Sequence, residues 1–210
     1  PLRAEEARSL AYQATEVTWA QPALSPDGAW LWFDLLGDIY RMPAAGGDAQ
    51  PVLAGPAFER NPVPSPDGRW IAFISDRSGV TNLWIARSDG SDARQLTHDN
   101  ALVLMTSPAW APDGKSVYVS RAVHAVLAFE LWRVPVDGSP PALLVAAQPG
   151  GNEGWDERIN AMGAAPSPDG KAVWYATKLG HTWTEKDPPT WSIARRDLAS
   201  GAVETVVPGG

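Results

Sequence analysis

The most constraining feature is a four-residue turn that comes back four times. Ser25-Pro26-Asp27-Gly28 recurs as Ser65-Pro66-Asp67-Gly68, Ala111-Pro112-Asp113-Gly114 and Ser167-Pro168-Asp169-Gly170, at intervals of 40, 46 and 56 residues. Proline presets φ at the first corner, aspartate can bond nearby backbone amides, and glycine accepts a positive φ. One such turn says little. Four in register along one chain point to a repeat architecture.

The flanks repeat as well. Each turn is followed by a β-rich run: Trp30 to Phe33, Trp70 to Ile74, Val117 to Val119 and Val173 to Ala176. A second run follows: Asp38 to Met42, Asn82 to Ala86, Glu130 to Val134 and Thr190 to Ala194. A glycine-bearing turn comes next, at Gly46-Gly47, Asp89-Gly90, Asp137-Gly138 and Ser200-Gly201, and a last apolar run closes the unit. A short apolar segment precedes each turn, as in Ser107 to Trp110. Each unit therefore reads as four antiparallel strands, which is the blade of a β-propeller. The expected fold is all-β, with four four-stranded antiparallel blades forming part of a larger ring. Blades are expected over about 18–55, 56–98, 99–147 and 148–208, after an N-terminal segment, 1–17, with a possible ring-closing strand around Leu10, Tyr12 and Ala14. No convincing helix is expected.

Composition agrees and excludes. Glycine (19) and proline (20) together approach a fifth of the chain, and Trp is high at 11, which suits short strands, tight turns and aromatic packing. With 17 basic and 24 acidic side chains the net charge is −7 and the pI about 4.9, so a nucleic-acid partner is not expected. No apolar run is long enough for a membrane span. The absence of cysteine rules out disulfides, thiolate zinc sites and a cysteine nucleophile.

The second unit carries a resemblance. Ser65 to Gly79, followed by Asn82-Leu83-Trp84-Ile85 and Asp89 to Thr97, resembles the TolB-type (WD40-like) propeller repeat, and the other units match with loop insertions. Phe33 to Tyr40, Ala44 to Gly47 and Thr15 to Trp19 are most similar to the N-terminal propeller of bacterial amidohydrolase-family proteins. Similar repeats occur in the Tol-Pal propeller, in prolyl-oligopeptidase-type peptidases and in the tricorn protease. The resemblance implies a non-catalytic propeller of a larger hydrolase that recognises substrate or gates access and docks on the catalytic domain. It implies a divalent metal in that absent domain and no cofactor in this chain, with a periplasmic or secreted location. Its alternatives are a cell-envelope interaction scaffold and the gating propeller of a serine peptidase. A chain starting at Pro1 and ending Pro208-Gly209-Gly210 is expected to be a fragment or processed product, whose missing blades or hydrolase domain would be its partner. An isolated arc would leave sheet edges exposed, so self-association as a homodimer is expected.

No catalytic constellation stands out, so whether the parent is an enzyme rests on the resemblance alone. There is no Gly-x-Ser-x-Gly elbow and no phosphate-cradling loop. His98, His124 and His181 could converge on one face, although three solvated or structurally bonded histidines are the plainer reading. Asp34 and Asp38 could form a cation site, but aspartates bonding backbone amides are preferred. The prolines, aspartates and glycines of the four turns (Pro26, Asp27, Gly28; Pro66, Asp67, Gly68; Pro112, Asp113, Gly114; Pro168, Asp169, Gly170) are taken as structural. Tryptophans in predicted strands, among them Trp132, Trp174 and Trp191, are assigned to packing between blades. Strand alternation puts the stereotyped turns at one end of the propeller and the variable loops at the other, where binding is expected. The candidates there are Arg121, His124, Glu130, Trp155, Asp156, Glu157, His181, Trp183 and Glu185. A loop packing back on the surface is as good a reading of Trp155 and Trp183.

Overall fold

The computed structural model describes residues 20–123, 128–147, 159–179 and 191–209. Within them lie sixteen strands in four four-stranded antiparallel sheets, and no helix. The first sheet holds β1 (Ala23–Leu24), β2 (Trp30–Leu35), β3 (Asp38–Pro43) and β4 (Gln50–Leu53). The second holds β5 (Glu59–Pro64), β6 (Trp70–Ser75), β7 (Asn82–Arg87) and β8 (Arg94–Gln95). The third holds β9 (Val103–Trp110), β10 (Ser116–Val123), β11 (Glu130–Pro135) and β12 (Ala142–Val145). The fourth holds β13 (Ile159–Pro166), β14 (Ala172–Leu179), β15 (Ser192–Asp197) and β16 (Val203–Val207). In every sheet spatial order equals chain order, as in a propeller blade. Trp191, expected in a strand, lies one residue before β15.

Each sheet starts at the repeated turn. In the first, the Ser25 amide donates to the Trp30 carbonyl (2.8 Å) and the Gly28 amide to the Ser25 carbonyl (2.9 Å). The Ser25 hydroxyl donates to Asp27 Oδ1 and accepts the Trp30 amide, while Asp27 Oδ1 also accepts the Ala29 amide at 3.0 Å. Ser65 and Asp67 repeat this, as do Ser167 and Asp169. The four glycines sit at φ between +68° and +71°, a conformation in which any other residue is strained. Serine is absent only at Ala111, where Asp113 keeps just its bond from the Lys115 amide (2.9 Å).

The core lies between sheets. Trp32, Ile39 and Leu53 meet Ile71, Phe73 and Ala86 of the second sheet. Ala72, Ile74, Leu83 and Ile85 meet Val103, Trp110, Val117 and Val134 of the third. Tyr118 and Leu131 meet Val173, Tyr175 and Ala194 of the fourth. Substantial strand contacts run from first sheet to second, second to third and third to fourth; among the described residues none joins the fourth to the first.

The inner strands carry an unexpected repeat. Asn61, Ser107 and Gly163 each stand four residues before a turn, each has positive φ, and each interrupts its ladder with a register shift. These β-bulges bend the innermost strand of three consecutive sheets.

Asp67 gives the turn a measurable signature. The Ser65 hydroxyl, then the amide and guanidinium of Arg69, hold its carboxyl down at about 2, against burial, which opposes them. A carboxylate depressed in the folded state stabilises above its unfolded value near 3.8 and loses that contribution as pH falls through about 2. Asp67→Ala is expected to cost about 1 kcal/mol at pH 6 by urea denaturation, the scale of one charge-assisted hydrogen bond at an exposed site. The gap between the parent chain and Asp67→Asn should shrink as pH is lowered from 4 to 2. A gap that stays constant with pH would show that this carboxylate does not clamp the turn.

Candidate functional site

The loop end of the sheets is built from carboxylates and amides that lock one loop to the next. The β2–β3 hairpin turns through Leu36 and Gly37, both at positive φ as a type I′ turn requires. A side chain at Gly37 would meet the Phe58 ring at 2.9 Å, and its carbonyl accepts the Glu59 amide. Asp38 Oδ1 accepts the Gly55 amide (3.1 Å), and Asp34 Oδ1 accepts the Gln21 amide at 3.4 Å. The two aspartates thus bond backbone amides, though of neighbouring segments rather than of their own hairpin. No group of three His, Asp or Glu suited to a metal ion exists among the described residues.

Next to this hairpin, Glu59 is buried against Arg77, whose guanidinium lies over Phe73 (5.2 Å) and Trp84 (5.1 Å). Burial pushes the Glu59 carboxyl up, against the opposing pull of Arg77 and Ser75. Its Oε2 and the Trp84 indole N–H are buried without a hydrogen-bond partner among the described residues. Asp76 caps the same loop by accepting the Phe58 amide at 2.8 Å.

The densest charged cluster joins the second and third sheets. Arg121, on β10, forms a two-point contact with Asp99 of the β8–β9 loop, its Nε donating at 3.3 Å. Its Nη1 lies 3.9 Å from Glu130 Oε2 on β11. The guanidinium stacks 5.5 Å from the Trp132 ring centre, and the Trp132 indole donates to Glu130 Oε2 at 2.9 Å. These groups are partly withdrawn from water, with side chains 17% (Asp99), 21% (Arg121) and 23% (Glu130) exposed. Asn82 fixes the loop from below: its Oδ1 accepts the Asp99 amide (2.9 Å) and its Nδ2 donates to the Asp99 carbonyl. The cluster borders a cleft of about 350 Å³ with walls that include Leu96, Val134, Pro141 and Trp132, and with His98 beside it. The cleft runs from Asp99 and Arg121 past the two-residue β8 to Gly138 and Pro141, beyond the far end of β11.

Of the sequence candidates, Arg121 and Glu130 are brought together here. His124, Trp155, Asp156, Glu157, His181, Trp183 and Glu185 lie outside the described residues, as does the segment 1–17. Sequence reasoning missed Asp99 as the partner of Arg121 and gave Trp132 to blade packing alone. It packs on the core between the second and third sheets and also orients the ion pair. Asn82 opening a strand just after the second unit's loop was the available signal, because a buried amide there must fasten a neighbouring loop.

The family model for the Tricorn protease N-terminal beta propeller domain matches residues 20–177, about three quarters of the chain. The chain belongs to that family. It is 40% identical to an uncharacterized peptidase YuxL of Bacillus subtilis over 75 residues, 35% of this chain and 11% of that protein. It is 31% identical to the Tricorn protease homolog 1 of Streptomyces coelicolor over 120 residues, 57% of this chain and 11% of that protein. Its fold is like that of TolB from Acinetobacter baumannii, with a TM-score of 0.65 and 17% identity, over 89% of this chain and 43% of that one. The chain spans about a tenth of the length of these two curated relatives.

A double-mutant cycle on Asp99 and Arg121, measured by chemical denaturation, should give a coupling of about 1–2 kcal/mol, above the usual surface pair because the contact is two-pointed and half-withdrawn from water. Arg121→Ala alone should cost more than Asp99→Ala, since it leaves two carboxylates facing each other. Additive effects would mean the pair carries no shared energy.

Proposed function

We propose that this chain is the propeller segment of a larger hydrolase, docking on a catalytic domain and recognising substrate or gating its approach with its loop face. The observation that carries this is the family match over residues 20–177, joined to two relatives whose names are those of peptidases. The loop face supports it physically. There Asp99, Arg121, Glu130 and Trp132 stand as a pre-oriented polar group beside an apolar cleft, on loops tied to a rigid scaffold. In this reading the chemistry is steric and recognitional, and the reacting bond is held by another domain.

The peptidase form of the proposal follows the family match. The amidohydrolase form rests on the resemblance of Phe33 to Tyr40 and Ala44 to Gly47, and would put a divalent metal in the separate domain. A cell-envelope interaction scaffold is the second reading, favoured by the likeness of fold to TolB. A periplasmic or secreted location accompanies all three. Among the described residues no helix is long and apolar enough to cross a membrane.

The test is to purify the protein from its own host by a tag placed within this segment, and to measure intact mass and hydrolysis together. The expected result is a polypeptide well above 22.5 kDa that cleaves peptide or amide substrates, while the 210-residue chain alone cleaves neither. Loss of activity to a serine-directed phosphonate selects the peptidase form, and loss to a chelator the amidohydrolase form. A 22.5 kDa protein with no hydrolytic activity would overturn the proposal in favour of the scaffold.

A further inference from the structure

The turn face is less plain than its repeated sequence suggests. The fourth residue of each third strand is Arg41 in β3, Ile85 in β7, Arg133 in β11 and Arg195 in β15. Beside Ile85 the next sheet supplies Trp110, the last residue of β9, which fills the space and donates its indole N–H to the Val63 carbonyl at 2.9 Å. The residues equivalent to Trp110 are Pro64 in β5 and Pro166 in β13. A hollow opens between the sheets in each of those places.

The two hollows differ in what their arginine is doing. Between the first and second sheets, Arg41 lies over Trp30 (4.7 Å) and Trp32 (5.9 Å), and its Nη1 donates to the Ser88 carbonyl. Between the third and fourth, Tyr118 stands where Trp32 does, and Leu198 where Ser88 does. The Nε of Arg133 donates to Ser116 Oγ at 3.0 Å, and its two terminal nitrogens have no hydrogen-bond or ion-pair partner among the described residues. This hollow has a volume of about 400 Å³, and its rim carries Asp113 and Asp169. It also contains the one turn without a serine. Asp113 therefore lacks the hydroxyl bond its counterparts have, and Asp169 uses only Oδ1 in its own turn. Pro112, Pro168 and Leu198 make apolar walls.

A free guanidinium fork suits a planar carboxylate held at two points. Two carboxylates with open acceptor positions at the rim suit an ammonium group and disfavour a polyanion. We propose that this hollow binds a small zwitterion, a free amino acid or short peptide. Its carboxylate lies on the terminal nitrogens of Arg133, its ammonium between Asp113 and Asp169, and its side chain on the proline and leucine walls. The site is on the face opposite the Arg121 cluster and is independent of the hydrolase reading.

The test is an NMR titration of the 210-residue chain with L-alanyl-L-alanine, following the Arg133 Nε–H resonance. Saturable binding is expected. C-terminal amidation of the dipeptide should weaken it about tenfold, the loss of a charge-assisted two-point contact. N-acetylation should weaken it several-fold in the parent chain but not in Asp113→Asn/Asp169→Asn. Arg133→Gln should abolish binding, and Arg133→Lys should weaken it while keeping the charge, with circular dichroism reporting whether each variant is folded. If the Arg133 variants do not fold, the amide and acetyl forms on the parent chain still decide. Equal binding of the dipeptide and its amide, binding of inorganic sulfate as tight as that of the dipeptide, or no saturable shift would each overturn the proposal.

Discussion

Everything in this fold follows from the way each sheet is started. A hydroxyl and a carboxylate two residues apart close the first hairpin by holding the amides that come after the glycine, and the Ser25–Trp30 and Ser65–Trp70 backbone pairs then set the register of the first two strands of their sheets. The turn contributes little energy at its exposed site. Its contribution is geometric. With the hairpin fixed, alternate residues of the next strands fall on opposite faces, and Trp32, Ile71, Val117 and Val173 are delivered to the spaces between sheets. Repeating the turn four times, with the serine hydroxyl in three of them, yields four similar layers, and consecutive layers bury their apolar faces on one another.

That is why the architecture could be read from residues alone. The turn residues, the β-rich runs and the glycine turns are local signals, and local signals set hairpins. The inter-sheet relations were not legible in the same way. The bulges at Asn61, Ser107 and Gly163 share a position but not a residue type, so only the backbone reveals them as a repeat. The hollow at Arg133 depends on what a neighbouring sheet offers, proline or tryptophan, at one position before its turn. Arg121 and Glu130 were recognisable as loop-end candidates, but the Asp99 contact that orients them spans 22 residues and rests on a buried Asn82 amide.

The two ends of the propeller are chemically distinct. At the loop end, carboxylates satisfy loop amides and arginines lie against aromatic rings, so charge is held in defined directions: Glu59 with Arg77 over Trp84, and Asp99 with Arg121 over Trp132. Such groups lose little conformational entropy when a partner arrives, because their rotamers are already fixed. At the turn end, each aspartate commits one oxygen to its own turn, and the hollow beside the serine-free third unit joins two carboxylates with open acceptor positions to an arginine with capacity to spare. A face that presents pre-oriented charge beside an apolar cleft is suited to meeting another domain or its substrate. A face of closed turns is suited to being left alone, apart from one hollow.

The central claim is that the loop end of this propeller faces a catalytic domain. Cross-linking mass spectrometry on the full-length protein from its host tests it most directly. The account predicts that residues flanking Asp99, Arg121 and Glu130 cross-link to a hydrolase domain outside this segment, while those flanking the Asp27, Asp67 and Asp169 turns do not. Cross-links concentrated on the turns, or none to any other domain, would contradict it.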